Sequence, residues 1–234
     1  MNATLRRINI RSLLAAVITC IAWPVAADVL VFGGTRGVGL ETVRLIVEAG
    51  EPVTVMVRET SDLTALNEID GVSLASGDAM APVTIAAAFE SGQFDAVIST
   101  LGGNPKAGYA VDSVGSINAI DGAKAAGVGR FVLVSSIGVG KSAGALPQVA
   151  LDSLAEVLAE KAKAENYLMA SGLVYTVIRP GVLTNKPANG LGMLTEDTSI
   201  TGIIRRTEVA RLVAEVIGDA ETFGKTYTAV EAQE

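Results

Sequence analysis

The segment VFGGTRGVG (residues 31–39) sets four glycines at the end of an apolar run. Glycines at that density allow a tight turn and let backbone N–H groups come close to a ligand. If a helix opens at the turn, its N-terminus adds partial positive charge. The chemistry this suits is diphosphate binding, with Gly33, Gly34, Thr35, Arg36, Gly37, Val38 and Gly39 as the cradle. The bland alternative is that the glycines serve only close packing of a strand on a helix.

A second candidate lies downstream in VTVMVRET, where Arg58 follows the next apolar run. An acid at that place would accept a hydrogen bond from a ribose 2′-hydroxyl; an arginine there, with Arg36 inside the glycine loop, suits a 2′-phosphate through charge-assisted bonds. The expected cofactor is therefore NADP(H) rather than NAD(H). Either arginine alone would read as a solvated surface charge, so the inference rests on the two together.

Other chemistry is narrowed by what the chain lacks. It has no histidine, and its single cysteine is Cys20, which excludes Ser-His and Cys-His catalysis, His-ligated zinc and intrachain disulfides. No metal is expected. The net charge is −7, and because the first 27 residues carry three arginines and no acid, the rest holds 15 basic against 25 acidic residues, a net of −10. A nucleic-acid partner is disfavoured; a small-molecule substrate is the expected partner.

Those first 27 residues run from Arg6, Arg7 and Arg11 through an apolar stretch (13–23) to Pro24 and Val25-Ala26-Ala27. That order describes a cleavable signal peptide, and the stretch is short for a membrane span. Cleavage after Ala27 would leave 207 residues, no membrane attachment, and a protein exported to a bacterial periplasm. An uncleaved anchor or an amphipathic cap on the fold are the alternatives. Arg6-Arg7 raises the twin-arginine route, though Leu5 and Asn9 fit it poorly. Thr19 before Cys20 is likewise a poor lipidation context.

The elements that must position the candidates follow from periodicity. Apolar runs at 29–33, 53–57, 72–76, 94–99, 130–135 and 174–178 read as strands, and helix-length segments separate them. Between the first two runs, Val38, Val43, Ile46 and Val47 share a helical face, with Gly50 as the stop. Continuous β-branched runs imply strands covered on both faces, hence an α/β domain with a doubly wound parallel sheet of Rossmann type. With 50% hydrophobic and only 4% aromatic residues, closely packed helices on one sheet fit better than a sandwich, and residues 28–234 suffice for a single domain. The stretch NKPANGLGMLTEDTSI (185–200) reads as a lid or pocket wall within a small C-terminal substrate segment, about 181–234.

With VFGGTRGVG, VMVRE, SGDAM, VISTLGG, INAIDGAKAAGVGRFVLVSSIGVG, KAKAENYLMASGLVYTVIRPGVL and RRTEVARLVAEVI in this order, the chain resembles the short-chain dehydrogenase/reductases, in their atypical, NAD(P)H-binding, NmrA-like branch. The resemblance spans residues 29 to about 230. It implies that Asp78 and Ala79 meet the adenine, that Leu101 and Gly102 line the ribose-phosphate path, and that Pro180 and Gly181 lie near the nicotinamide. It also implies that Ser135 and Ser136 follow the fifth strand where the superfamily keeps its catalytic serine, Ser136 being the better match. Ordinary alternatives are a turn residue for Asp78, strand-end caps for the serines and a surface amide for Asn118.

One departure matters. Catalytic members carry Tyr-x-x-x-Lys, whose lysine lowers the tyrosine pKa for proton exchange with substrate. Lys161 fits the lysine best, with Lys163 as alternative, yet Val157 and Ala159 stand where the tyrosine belongs. Tyr109 is a substitute donor or a rim residue. The expectation is an NADP(H)-dependent oxidoreductase of a small organic acceptor such as a quinone, flavin or carbonyl, with a non-catalytic NADP(H)-binding regulatory or assembly protein as the alternative.

Overall fold

A computed structural model describes residues 28–232 apart from 105 and 107; the signal-peptide reading therefore lies outside the described residues. The chain alternates strand and helix: β1 Val29–Phe32, α1 Gly37–Glu48, β2 Val53–Val57, β3 Val72–Ser76, α2 Pro82–Glu90 and β4 Ala96–Ser99. A π-helical turn, Val111–Gly115, then runs into α3 Ser116–Ala125, followed by β5 Arg130–Val134, α4 Gln148–Ala170 and β6 Val174–Pro180. The C-terminal part adds β7 Val182–Thr184, β8 Gly192–Thr195, β9 Ile203–Arg205, α5 Arg206–Val216 and β10 Lys225–Glu231.

Among the described residues eight strands form one sheet in the order β3-β2-β1-β4-β5-β6-β10-β8. All neighbours are parallel except β8, which runs antiparallel on β10. β7 and β9 make a separate parallel pair. Every residue of β1, β2, β4 and β5 is buried, because helices cover both faces; that is why these strands read as continuous apolar runs rather than alternating ones.

On one face α1 and α5 pack Val43, Ile46, Val209 and Val213 against Val31, Val55 and Ile98. On the other, Ile85, Phe89, Ile120 and Leu168 of α2, α3 and α4 meet Leu30, Phe32 and Phe131. Full burial of one such side chain is worth about 1.5–3 kcal/mol. The shortage of aromatics has a local counterpart: a Cβ on Gly122 of α3 would stand 2.5 Å from the Phe89 ring and 2.6 Å from Ile85, so α2 and α3 approach as closely as they do only because that residue is glycine.

Three features depart from the sequence reading. β3 is the sheet edge, with Ala75 its one buried residue and Leu74 exposed, so it is not covered on both faces. β10, a Thr-rich run with charged ends, fills the position between β6 and β8, which apolar runs alone do not reveal. The 185–200 stretch contains β8, a strand of the main sheet held by β10, and none of its residues lines the cleft described below.

Candidate functional site

A cleft of about 1020 Å³ opens at the C-terminal ends of the strands where the order reverses on either side of β1. Ligands of open α/β sheets bind at such a switch point because the loops on its two sides diverge. Gly33 and Gly37, at φ +85° and +57°, make the turn between β1 and α1 that only glycine takes without strain. Thr100 Oγ1 donates to the carbonyls of Phe32 and Gly33 at 3.2 and 3.1 Å and pins that turn to β4.

Thr35, Arg36, Gly37 and Val38 line the cleft with Gly33, whereas Gly34 and Gly39 stand behind it. A Cβ on Gly34 would lie 2.7 Å from Val55, and one on Gly39 would lie 2.3 Å from the Gly33 carbonyl oxygen. These two glycines let the loop sit tight on β2 and β4; the cradle itself is made by the others. The N-cap of α1 is Arg36, with no side-chain acceptor, and the first turn holds no acid. No side chain of the cap or first turn therefore competes for the first amides of α1, an end suited to an anion.

Arg36 and Arg58 are exposed at one end of the cleft, and neither has a carboxylate partner among the described residues. Beside them Asp78 Oδ1 accepts from the Met80 amide at 2.9 Å, and the Asn118 side-chain amide donates to the Ala79 carbonyl at 2.8 Å. Asn118 is thus a brace for the Asp78-Ala79 wall rather than a plain surface amide.

Across the cleft, Leu101 and Gly102 continue the lining after β4. The next amide, of Gly103, donates to Asp112 Oδ2 at 2.7 Å, and Lys161 Nζ lies 2.7 Å from Asp112 Oδ1. The Asp112 side chain is wholly buried. It sits in the π-helical turn, a feature that commonly marks functional places in helices. Ser113 of the same turn donates to Glu160 of α4, which also pairs with Lys163. Lys163 is thereby engaged at the surface, and of the two candidate lysines Lys161 is the one that lines the cleft. Sequence reasoning missed Asp112; its only signal was a lone acid in the otherwise uncharged run YAVDSVGS.

Ser135 and Ser136 both line the cleft, but their hydroxyls differ. Ser136 Oγ donates to the Ile137 carbonyl at 3.0 Å. Ser135 Oγ is buried and has no partner, so of the two hydroxyls Ser135's is the one with unused hydrogen-bonding capacity, whereas the expectation favoured Ser136 as the catalytic serine.

Three further expectations differ from the observed lining. Tyr109 is half-buried in the loop before the π-helical turn but is not part of the cleft wall. Pro180 and Gly181 are also absent from it: the Pro180 carbonyl accepts from the Ile137 amide, and Gly181 donates to Ala229 and abuts the Gly202 carbonyl, which a Cβ would approach to 2.2 Å. Close packing of backbones explains that glycine. From the segment after 181, Leu183 and Arg206 line the cleft instead.

An uncapped helix end, unpaired arginines and an unpartnered buried serine in one cleft fit a dinucleotide. Together with the sheet order they define a Rossmann-type dinucleotide-binding protein. More particularly, the chain belongs to the NAD(P)H-binding family, whose model matches residues 33–220.

Among curated proteins it is 31% identical over 212 residues to the chloroplastic protein TIC 62 of Pisum sativum, covering 80% of this chain and 39% of that one. It is 29% identical over 208 residues to the uncharacterized sugar epimerase YhfK of Bacillus subtilis, covering 87% and 94%. Thus it spans well under half of the first relative and nearly all of the second. Among solved structures, ChuY, an anaerobillin reductase from Escherichia coli O157:H7, superposes with a TM-score of 0.79 at 31% identity, covering 88% of this chain and 98% of that one.

Proposed function

We propose that this protein is an NADP(H)-dependent reductase of a small, electron-poor organic acceptor. The observation that carries the reading is one cleft lined by two arginines without carboxylate partners, after β1 and β2, and by Lys161 and Ser135, whose buried hydroxyl has no partner. Similarity to a reductase over nearly its whole length supports it.

In this reading Arg36 and Arg58 bind the 2′-phosphate, the amides of the glycine loop and α1 bind the diphosphate, and Asp78 with Ala79 borders the adenine. Lys161, oriented by Asp112, holds the nicotinamide ribose, and Ser135 donates to the acceptor or the carboxamide beside it. When bound, the reduced nicotinamide supplies the hydride. No tyrosine among the described residues lines the cleft, so protein-delivered acid is scarce. Acceptors whose reduced oxygen or nitrogen needs no strong acid, such as quinones, flavins or extended conjugated systems, are therefore preferred to simple ketones.

Purified protein is titrated with NADPH and NADH and then assayed for NADPH oxidation across quinones, flavins, conjugated imines and ketones. Arg58→Ala should weaken NADPH by about 1–3 kcal/mol and NADH far less. Equal weakening of both would refute the 2′-phosphate assignment. Tight NADPH binding with no acceptor reduced above the uncatalysed rate would refute the reductase and favour a nucleotide-sensing role.

A further inference from the structure

Among the described residues Arg206 is the one cleft-lining guanidinium that the 2′-phosphate reading leaves without a task. It is the first residue of α5, it is half-buried, and its Nη1 donates to Asn185 Oδ1 at 2.7 Å. No carboxylate among the described residues pairs with it.

What it faces is the start of α1. A Cβ on Gly37 would stand 3.7 Å from Arg206 Nε and 3.8 Å from its Cδ. Gly37 opens α1, whose N-cap carries no side-chain acceptor and whose first turn carries no acid. A cation held against the positive end of a helix is electrostatically unfavourable, because the unsatisfied amides there carry partial positive charge.

The placement is nonetheless firmly built. The preceding Arg205 donates its amide to Glu231 Oε1 at 2.8 Å and pairs its guanidinium with the same carboxylate, and its backbone registers against Thr184 in the β7-β9 pair. Two residues on, Glu208 is wholly buried and accepts three backbone amides from 189–192. The far end of the chain is thus anchored so as to carry a guanidinium to the mouth of the glycine loop. Such an arrangement becomes favourable when an anion lies between the two positive groups.

We propose that Arg206 binds the diphosphate of the dinucleotide from the side opposite the α1 amides, closing the phosphate site with a residue from the C-terminal segment. The proposal rests on the dinucleotide reading of the cleft and adds to it a contact shared by both nicotinamide cofactors. Arg206 and Arg58 therefore divide the work: Arg58 tells NADPH from NADH, whereas Arg206 holds either.

The test compares wild type with Arg206→Ala, Arg206→Gln and Arg206→Lys in equilibrium binding of NADPH, NADH and adenosine 2′-monophosphate, which has no diphosphate. Expected are losses of about 10–100-fold for both dinucleotides in the Ala and Gln variants, an unchanged NADPH-to-NADH ratio, and unchanged 2′-monophosphate affinity. Lysine should rescue partly, as it keeps the charge but not the planar fork. The salt dependence of NADPH binding should be shallower in Arg206→Gln, a readout that local loosening of α5 would not move.

Dinucleotide affinities within twofold of wild type would overturn the proposal, as would a loss confined to NADPH, or a raised acceptor KM with cofactor binding intact. Failure of wild type to bind either dinucleotide would instead overturn the cofactor reading itself.

Discussion

Replacing Glu208 by Gln removes the charge from a carboxylate that the fold has surrounded with donors. Its Oε1 accepts from the amides of Asn189 and Gly190 at 3.0 and 2.8 Å, and its Oε2 accepts from Gly192 at 2.9 Å and from Arg211 Nη2 at 2.9 Å. Burial alone would raise its pKa, but the Arg211 side chain and the three amides outweigh it and lower the value from 4.5 to about 2. A depressed folded-state pKa contributes stability that is fully present above about pH 4.5 and lost as pH falls toward 2. The shift corresponds to about 3 kcal/mol at neutral pH; with Arg211 one-third exposed, solvent screening trims this to about 2–3 kcal/mol.

In Glu208→Gln the new amide group would also oppose the Gly192 and Arg211 donors. The melting temperature at pH 7 should therefore fall by about 4–12 °C, and amides of the edge strand β8 should exchange faster with solvent. At pH 3 the wild type has already lost more than half of the contribution, so the gap between the two proteins should narrow accordingly. Thermal melts of both proteins at the two pH values, followed by circular dichroism, measure this. A variant that melts with the wild type at pH 7, or a gap that stays constant into acid, would refute the reasoning.

Gly122→Ala should destabilise by about 1–3 kcal/mol, read from urea midpoints, because the added methyl meets Phe89 and Ile85 between α2 and α3. Asp112→Ala strips Lys161 of its buried partner and Gly103 of its acceptor. A loss of about 3–5 kcal/mol in unfolding free energy is expected, with weaker NADPH binding by fluorescence titration; retention of both would show that the pair is idle. Protein recovered from its native host is expected to begin at Asp28, and a mass that includes Met1 would end the signal-peptide reading. Burial and the nearby Asp95 carboxylate raise the Asp28 pKa, so its charge opposes folding at neutral pH. A new α-ammonium at the nitrogen, 3.2 Å from Asp95 Oδ2, would offset that repulsion. A form that begins at Asp28 should then melt higher than the full chain at pH 7, and the difference should vanish below the carboxylate range.

The glycine loop and the runs of β1, β2, β4 and β5 were legible without a structure because their signals are local. A strand buried on both faces must be apolar at every position, and a turn with positive φ must be glycine. The family motifs added the order of the pieces. The same local logic misled wherever an element lies at a border: β3 is apolar in pattern yet exposed at the sheet edge, while Thr-rich β10 and Gly-flanked β8 carry too few consecutive apolar residues to announce themselves.

Within the site, the sequence by itself placed two of the three cleft-lining arginines among the described residues, since Arg36 and Arg58 follow β1 and β2 by connectivity alone. Which serine keeps a free hydroxyl, which glycines pack rather than bind, that Asp112 backs Lys161 from behind the wall, and that Leu183 and Arg206 line the cleft while Tyr109, Pro180 and Gly181 do not, only the tertiary structure decided. These outcomes depend on side-chain direction and on where distant segments cross. Asp112 meets Lys161, and Arg206 meets Gly37, across long stretches of chain whose packing no periodicity encodes.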